Sequence, residues 1–136
     1  MRKFISLLIT LCLAFCAVSS TASASLSQSG ISPYYLYAND VEPKASWTGS
    51  NSVYFTCEVT GESAVTQIKV YLYLEEYYNG SWRNVDSVTK TVNAKSTKAS
   101  KTYTSAVKGR KYRAYASVFV YSGSAYEHVE KRSSTI

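Results

Sequence analysis

Histidine, proline and cysteine are all scarce in this chain of 136 residues, which has one histidine, two prolines and three cysteines. His128 is the only imidazole, so a Ser-His-Asp or Cys-His catalytic pair must be built on it or not at all. Cys12 and Cys16 fall in an apolar run at the start. Cys57 is then alone in the body of the chain, and an internal disulfide there is excluded. One histidine and one remaining cysteine are also too few for the ligand clusters that hold structural metals. Long hydrophobic runs are missing as well. The longest, over 4–18, falls short of the roughly 20 residues of a membrane-spanning helix. No helix-length stretch shows a 3.6-residue apolar period.

What is there begins with Met1-Arg2-Lys3, followed by the apolar run and by the small-residue sequence Ala22-Ser23-Ala24. This three-part order is that of a secretory signal peptide with an A-x-A cleavage site. Residues 1–24 are therefore expected to be a signal, and 25–136 one exported domain, extracellular and able to associate with the cell wall. A lipid anchor at Cys16 is disfavoured by the bulky Phe15 before it. A chain of the remaining length buries enough surface to fold without disulfides. Without Arg2 and Lys3, 13 of the 15 basic residues remain against 9 acidic ones, a net charge of +4. That surplus serves solubility, and it favours anionic wall polymers or membrane surfaces over cationic ones. Nucleic-acid binding is disfavoured by export and by the lack of a matching motif.

Beyond residue 50 the apolar pattern has period two. Val53, Phe55, Cys57 and Val59 alternate with polar partners, as do Ile68, Val70, Leu72 and Leu74, and then Tyr112, Ala114, Ala116, Val118 and Val120. Each series reads as a strand with one face in a core. Weaker strand signals lie at 34–37, 82–92, 98–107 (a polar edge candidate) and 125–131. About seven strands joined by short polar turns indicate an all-β protein, a single antiparallel β-sandwich of immunoglobulin-like type.

Asn79-Gly80 between two such runs is the favoured pair for a two-residue type I′ turn. Counting outward from it, Tyr77 faces Trp82, Glu76 faces Arg83 as a cross-strand ion pair, Glu75 faces Asn84 and Leu74 faces Val85. Val107-Lys108-Gly109-Arg110-Lys111-Tyr112 places a glycine turn just before a tyrosine that opens a strand. This resembles the tyrosine corner of fibronectin type III and related sandwiches, and the resemblance implies that Tyr112 bonds to backbone across the corner. The chain also resembles a group of small uncharacterised secreted proteins of Gram-positive bacteria. That likeness rests on the signal pattern, Ile31-Ser32-Pro33-Tyr34, the segment 66–72, Asn79-Gly80-Ser81-Trp82 and the 109–112 corner. It implies a fold and a location but no chemistry.

Candidate chemistry is thin. Cys57 sits on the apolar face of a strand, where a cysteine is an inert core residue. His128 reads as a surface residue of the last strand. Asp40 and Glu42 form an acidic pair near a calcium site in type only. Glu75 and Glu76 point to opposite faces of one strand, so they do not make the paired carboxylates of a glycosidase. The reading is a non-enzyme that needs no cofactor and no metal.

The unusual feature is aromatic. By the alternation, Tyr71, Tyr73 and Tyr77, then Trp82, then Tyr115, Phe119 and Tyr121 all point outward. In an immunoglobulin-like sandwich the strands carrying Tyr71 and Tyr115 are neighbours, so these side chains form one surface, with Lys69, Lys90 and Arg113 at its flanks. Tyrosine suits half-exposed strands without any partner. A patch of this extent also suits a ligand, because Tyr and Trp offer rigid contact area with a hydrogen-bonding tip. The expected role is a secreted binding or cell-surface module for a wall glycan or an extracellular protein. The alternative is a small bacteriocin-like or toxin-like effector.

Overall fold

The computed structural model describes residues 35–136; the signal segment and the Ile31-to-Tyr34 motif lie outside them. Seven strands follow in order: β1 (Ala38–Trp47), β2 (Val53–Gly61), β3 (Gln67–Tyr78), β4 (Ser81–Val92), β5 (Ser96–Tyr103), β6 (Lys111–Ser122) and β7 (Ala125–Arg132). They form two antiparallel sheets, β1-β2-β5 and β4-β3-β6-β7. The protein is an immunoglobulin-like sandwich in a three-plus-four division. The inward positions of the alternating runs fill its interior: Phe55, Cys57, Ile68, Leu72, Leu74, Tyr112 and Val118 are all sealed from solvent.

The first strand differs from the expected one. Residues 35–37 are not strand, and β1 runs through Pro43. Asn39, Asp40 and Pro43 read as strand breakers, yet β1 lies at the edge of its sheet, where a missing N–H costs no ladder bond on the open side. Val41 and Pro43 are buried in β1 as the inward pair. The polar strand β5 ends at Tyr103 rather than at 107, and it is an edge strand as its composition suggested.

The β3–β4 hairpin closes on Asn79 and Gly80, both with positive φ (49° and 81°), as a type I′ turn requires. The pairs Tyr77–Trp82, Glu76–Arg83 and Glu75–Asn84 form as counted from the turn. Leu74 instead faces Asp86, because a bulge between Leu74 and Glu75 takes up Val85. The same shift fixes the parity of Lys90, which sits opposite the core residue Val70. Its Nζ donates to the Lys98 carbonyl at 2.8 Å, so Lys90 bridges the two sheets and does not flank the aromatic face.

The chain enters β1 under a clamp from the other sheet. The Glu127 carboxylate on β7 accepts from the N–H groups of Leu36 (3.0 Å), Tyr37 (2.8 Å) and Ala38 (3.0 Å). Burial alone would raise the Glu127 pKa, but the three backbone donors outweigh it and hold the carboxyl below its usual range.

Candidate functional site

The two outer faces of the sandwich have opposite chemistry. On β1-β2-β5 the outward rows pair Glu42 with Glu58 and Lys98, and Tyr54 with Thr102. That face is hydroxyls and exposed ion pairs, among them Lys44–Glu42 at 2.6 Å and Lys98–Glu58 at 2.8 Å. Glu42 is thus engaged by Lys44. Among the described residues no group of three acidic, His or Cys side chains comes together to hold a metal.

The outer face of β4-β3-β6-β7 is aromatic. The register places Tyr73 beside Tyr115, and their rings stack at 5.7 Å between centroids with planes 21° apart. Tyr71 meets Phe119 edge to face at 6.1 Å. Tyr77 meets Trp82 at 5.3 Å. Phe119 continues to the His128 ring at 4.3 Å and to Tyr126 at 5.8 Å, and Tyr121 also meets Tyr126 at 5.7 Å. All seven aromatic residues singled out from the sequence lie on this face. They fall into three contact groups: Tyr71 with Phe119 and Tyr121 by way of Tyr126, Tyr73 with Tyr115, and Tyr77 with Trp82. Separations of this size are those of favourable aromatic pairs. Tyr126 and His128 extend the surface onto β7, a strand whose short alternation gave them no separate signal.

Cations join these groups. Arg113 lies over the Trp82 ring at 3.9 Å, Arg132 over Tyr115 at 4.3 Å and Lys69 over Tyr71 at 4.8 Å. These are cation–π distances. Both arginines are tied to one carboxylate, that of Glu75, with Arg113 Nε at 2.5 Å and Arg132 Nε at 3.5 Å. Glu75 points outward, yet it is only 8% exposed because the two guanidinium groups roof it. The Tyr115 hydroxyl donates to Glu130 at 2.7 Å. Burial and that bond push its pKa up to about 12. A Glu75 anchor, two arginines and a tyrosine pair thus form a braced platform of alternating rings and planar cations.

His128 does not complete a catalytic relay. Ser117 Oγ lies 2.7 Å and Glu130 Oε1 lies 3.8 Å from the same nitrogen, Nε2. A relay needs the acid on the other ring nitrogen, where it fixes the tautomer that accepts the serine proton. Cys57 lies sealed in the core, far in character from the exposed His128.

At the opposite side of β3, Glu76 is the second carboxylate centre. Arg83 reaches its Oε2 through Nε at 2.9 Å and Nη2 at 2.6 Å. Arg110 reaches Oε1 at 3.1 Å and the Tyr112 hydroxyl donates to Oε1 at 2.6 Å. Tyr112 also accepts from the Val107 N–H at 2.8 Å, which closes the corner expected from the glycine turn. Burial would raise the Glu76 pKa; the Tyr112, Arg83 and Arg110 donors hold it below the usual carboxylate range.

The class defined by these features is an immunoglobulin-like sandwich with one polar and one aromatic, arginine-braced outer face. No protein-family model matches the chain, and no curated protein matches it. Among solved structures it is similar to Spo0M, the sporulation control protein from Bacillus subtilis, at 13% identity and a TM-score of 0.39. That similarity covers 71% of this chain and 48% of the other, so less than half of that protein's length is spanned.

Proposed function

We propose that this protein is a secreted, non-enzymatic binding module that attaches to cell-wall glycan through the aromatic face of β4-β3-β6-β7. One observation carries the reading: Tyr71, Tyr73, Tyr77, Trp82, Tyr115, Phe119 and Tyr121 share one outer face, while the other outer face is made of hydroxyls and ion pairs. A fold that needed tyrosine only to fill pleated surface would spread it over both sheets, whereas Tyr54 is the single tyrosine in the outward rows of β1-β2-β5 among the described residues. Rings held rigid by neighbours and by Glu75-anchored arginines lose little entropy on meeting a ligand, which favours stacking against sugar rings. The surplus of positive charge adds attraction to anionic wall polymers. Export is supported by the signal pattern of residues 1–24.

The test is co-sedimentation of the purified protein with insoluble Gram-positive cell wall at low and high salt. Binding that survives salt, and that Tyr73→Ala or Trp82→Ala weakens about tenfold or more while the fold persists, is the expected outcome. Binding abolished by salt alone would reduce the attraction to screened charge. No binding in either condition would move the face to a protein partner, to be sought first as self-association by sedimentation velocity.

A further inference from the structure

The aromatic face is not the only place where cations and rings converge. At one end of the sandwich the β1–β2 turn, the β5–β6 loop and Ile136 line an open cavity of about 630 Å³. That volume is within the range of small-molecule sites. Trp47 and Ile136 supply its apolar walls, and Lys108, Arg110 and Lys111 supply its polar rim. Among the described residues no acidic side chain lines it.

The walls are fixed from behind. Trp47 packs edge-on against the buried Tyr112 ring at 5.4 Å. Ile136 is tied to Tyr112 by both main-chain bonds, donating at 2.9 Å and accepting at 3.1 Å. The β1–β2 turn is closed by the Thr48 N–H on the Ser52 carbonyl at 2.9 Å, and is tied to the other loop by the Ala106 N–H on the Asn51 carbonyl at 2.9 Å. Arg110 is held between Glu76 and the face of Tyr78, 4.3 Å away. Gly109 turns the chain at φ +91°, a left-handed conformation that places Lys108 and Arg110 on either side of it.

The charges are unequal in availability. Arg110 is engaged by Glu76. Among the described residues, Lys108 and Lys111 have no carboxylate within ion-pair distance. Two unpaired ammonium groups beside an indole wall select for negative charge on one part of a ligand and apolar surface on another.

We propose that this end cavity is a second binding site, independent of the aromatic face, for a small organic anion: a ring or short apolar body carrying a phosphate or carboxylate. The apolar body lies against Trp47 and Ile136, and the anionic group lies between Lys108 and Lys111. The site shares none of the seven aromatic residues of the proposed glycan face; Lys111 stands opposite Tyr77 in the β3–β6 register, so Tyr73→Ala, away from that pair, is the variant that separates the two sites.

Amide chemical-shift titration of the purified protein tests this with three probes: phenyl phosphate, inorganic phosphate and phenol. Phenyl phosphate should shift the Gly49, Gly109 and Ile136 amides saturably, with a Kd on the order of 1 mM or tighter. Phosphate or phenol alone should bind about tenfold more weakly or less. Lys108→Gln with Lys111→Gln should weaken phenyl phosphate at least about tenfold with core amides unmoved, while Tyr73→Ala should leave the affinity unchanged. Inorganic phosphate binding as well as phenyl phosphate would overturn the proposal, since the apolar wall would then contribute nothing. Shifts centred on Tyr71, Tyr115 and Phe119 would overturn it, as would no saturable shift at these three amides.

Discussion

The Tyr112 hydroxyl donates to Glu76 Oε1 at 2.6 Å between two adjacent strands of the larger sheet. Glu76 is 2% exposed and serves Tyr112, Arg83 and Arg110 together, while Tyr112 also receives the Val107 N–H. One carboxylate therefore ties together the β3–β4 hairpin, the β5–β6 loop and the start of β6.

Removal of that carboxylate should be felt by all three elements. Glu76→Ala leaves a buried hydroxyl and two guanidinium groups without their acceptor, and should cost roughly 2 kcal/mol of unfolding free energy. The figure stays modest because Arg83 is half exposed and finds water. Tyr112→Phe removes one donor and leaves the Val107 N–H unpaired, so it should cost about 1 kcal/mol. The two losses should be less than additive when combined, because they share a bond. Denaturant midpoints of the four proteins of this cycle are the measurement. Full additivity would show that the bond contributes nothing.

This hub was half legible in the sequence. The type I′ count from Asn79-Gly80 put Glu76 opposite Arg83, because a two-residue turn fixes register for the first few pairs. The count failed at Leu74, where a bulge absorbs Val85. A bulge leaves no compositional mark when the extra residue is an ordinary valine. The aromatic face was legible because alternation from Ile68 onward is unbroken. β1 was not, because Pro43 and Asp40 are acceptable only at a sheet edge, and edge position is a property of the assembled sheet. The end cavity was invisible for a simpler reason: Trp47, Lys108 and Ile136 are brought together only by the complete sandwich.

The Glu127 clamp makes acid sensitivity specific. Its folded pKa, like that of Glu76, lies below the ordinary carboxylate value of about 4.3. Above that value both groups are charged in folded and unfolded chains, and their stabilisation is fully present. As pH falls through it the unfolded chain takes up protons first, so stability is lost progressively towards the depressed folded values. Glu127→Gln should remove part of this dependence. Its thermal midpoint should fall relative to the parent at neutral pH, and the gap should narrow below about pH 4. A gap that stays constant with pH would show that the charge on Glu127 does not hold the entry to β1. The local readout is hydrogen exchange at the Tyr37 and Ala38 amides, which should quicken in the variant before core amides do.

Cys57 offers a test of the core itself. It is fully buried, paired across the sheet with Pro43 and Ala99, and burial pushes its thiol pKa up to about 12. Only the thiolate reacts, and burial acts against labelling twice, by suppressing the thiolate and by closing access. The peptide carrying Cys57 should stay unlabelled by a disulfide reagent for hours under native conditions and label at once in denaturant, as followed by mass spectrometry. Labelling should then report opening of the β1-β2-β5 sheet, so its slow rate should rise in Glu76→Ala only as far as global stability falls. Rapid native labelling would mean that β1 peels away from β2 on its own, and would place Pro43 at a hinge rather than a closed edge.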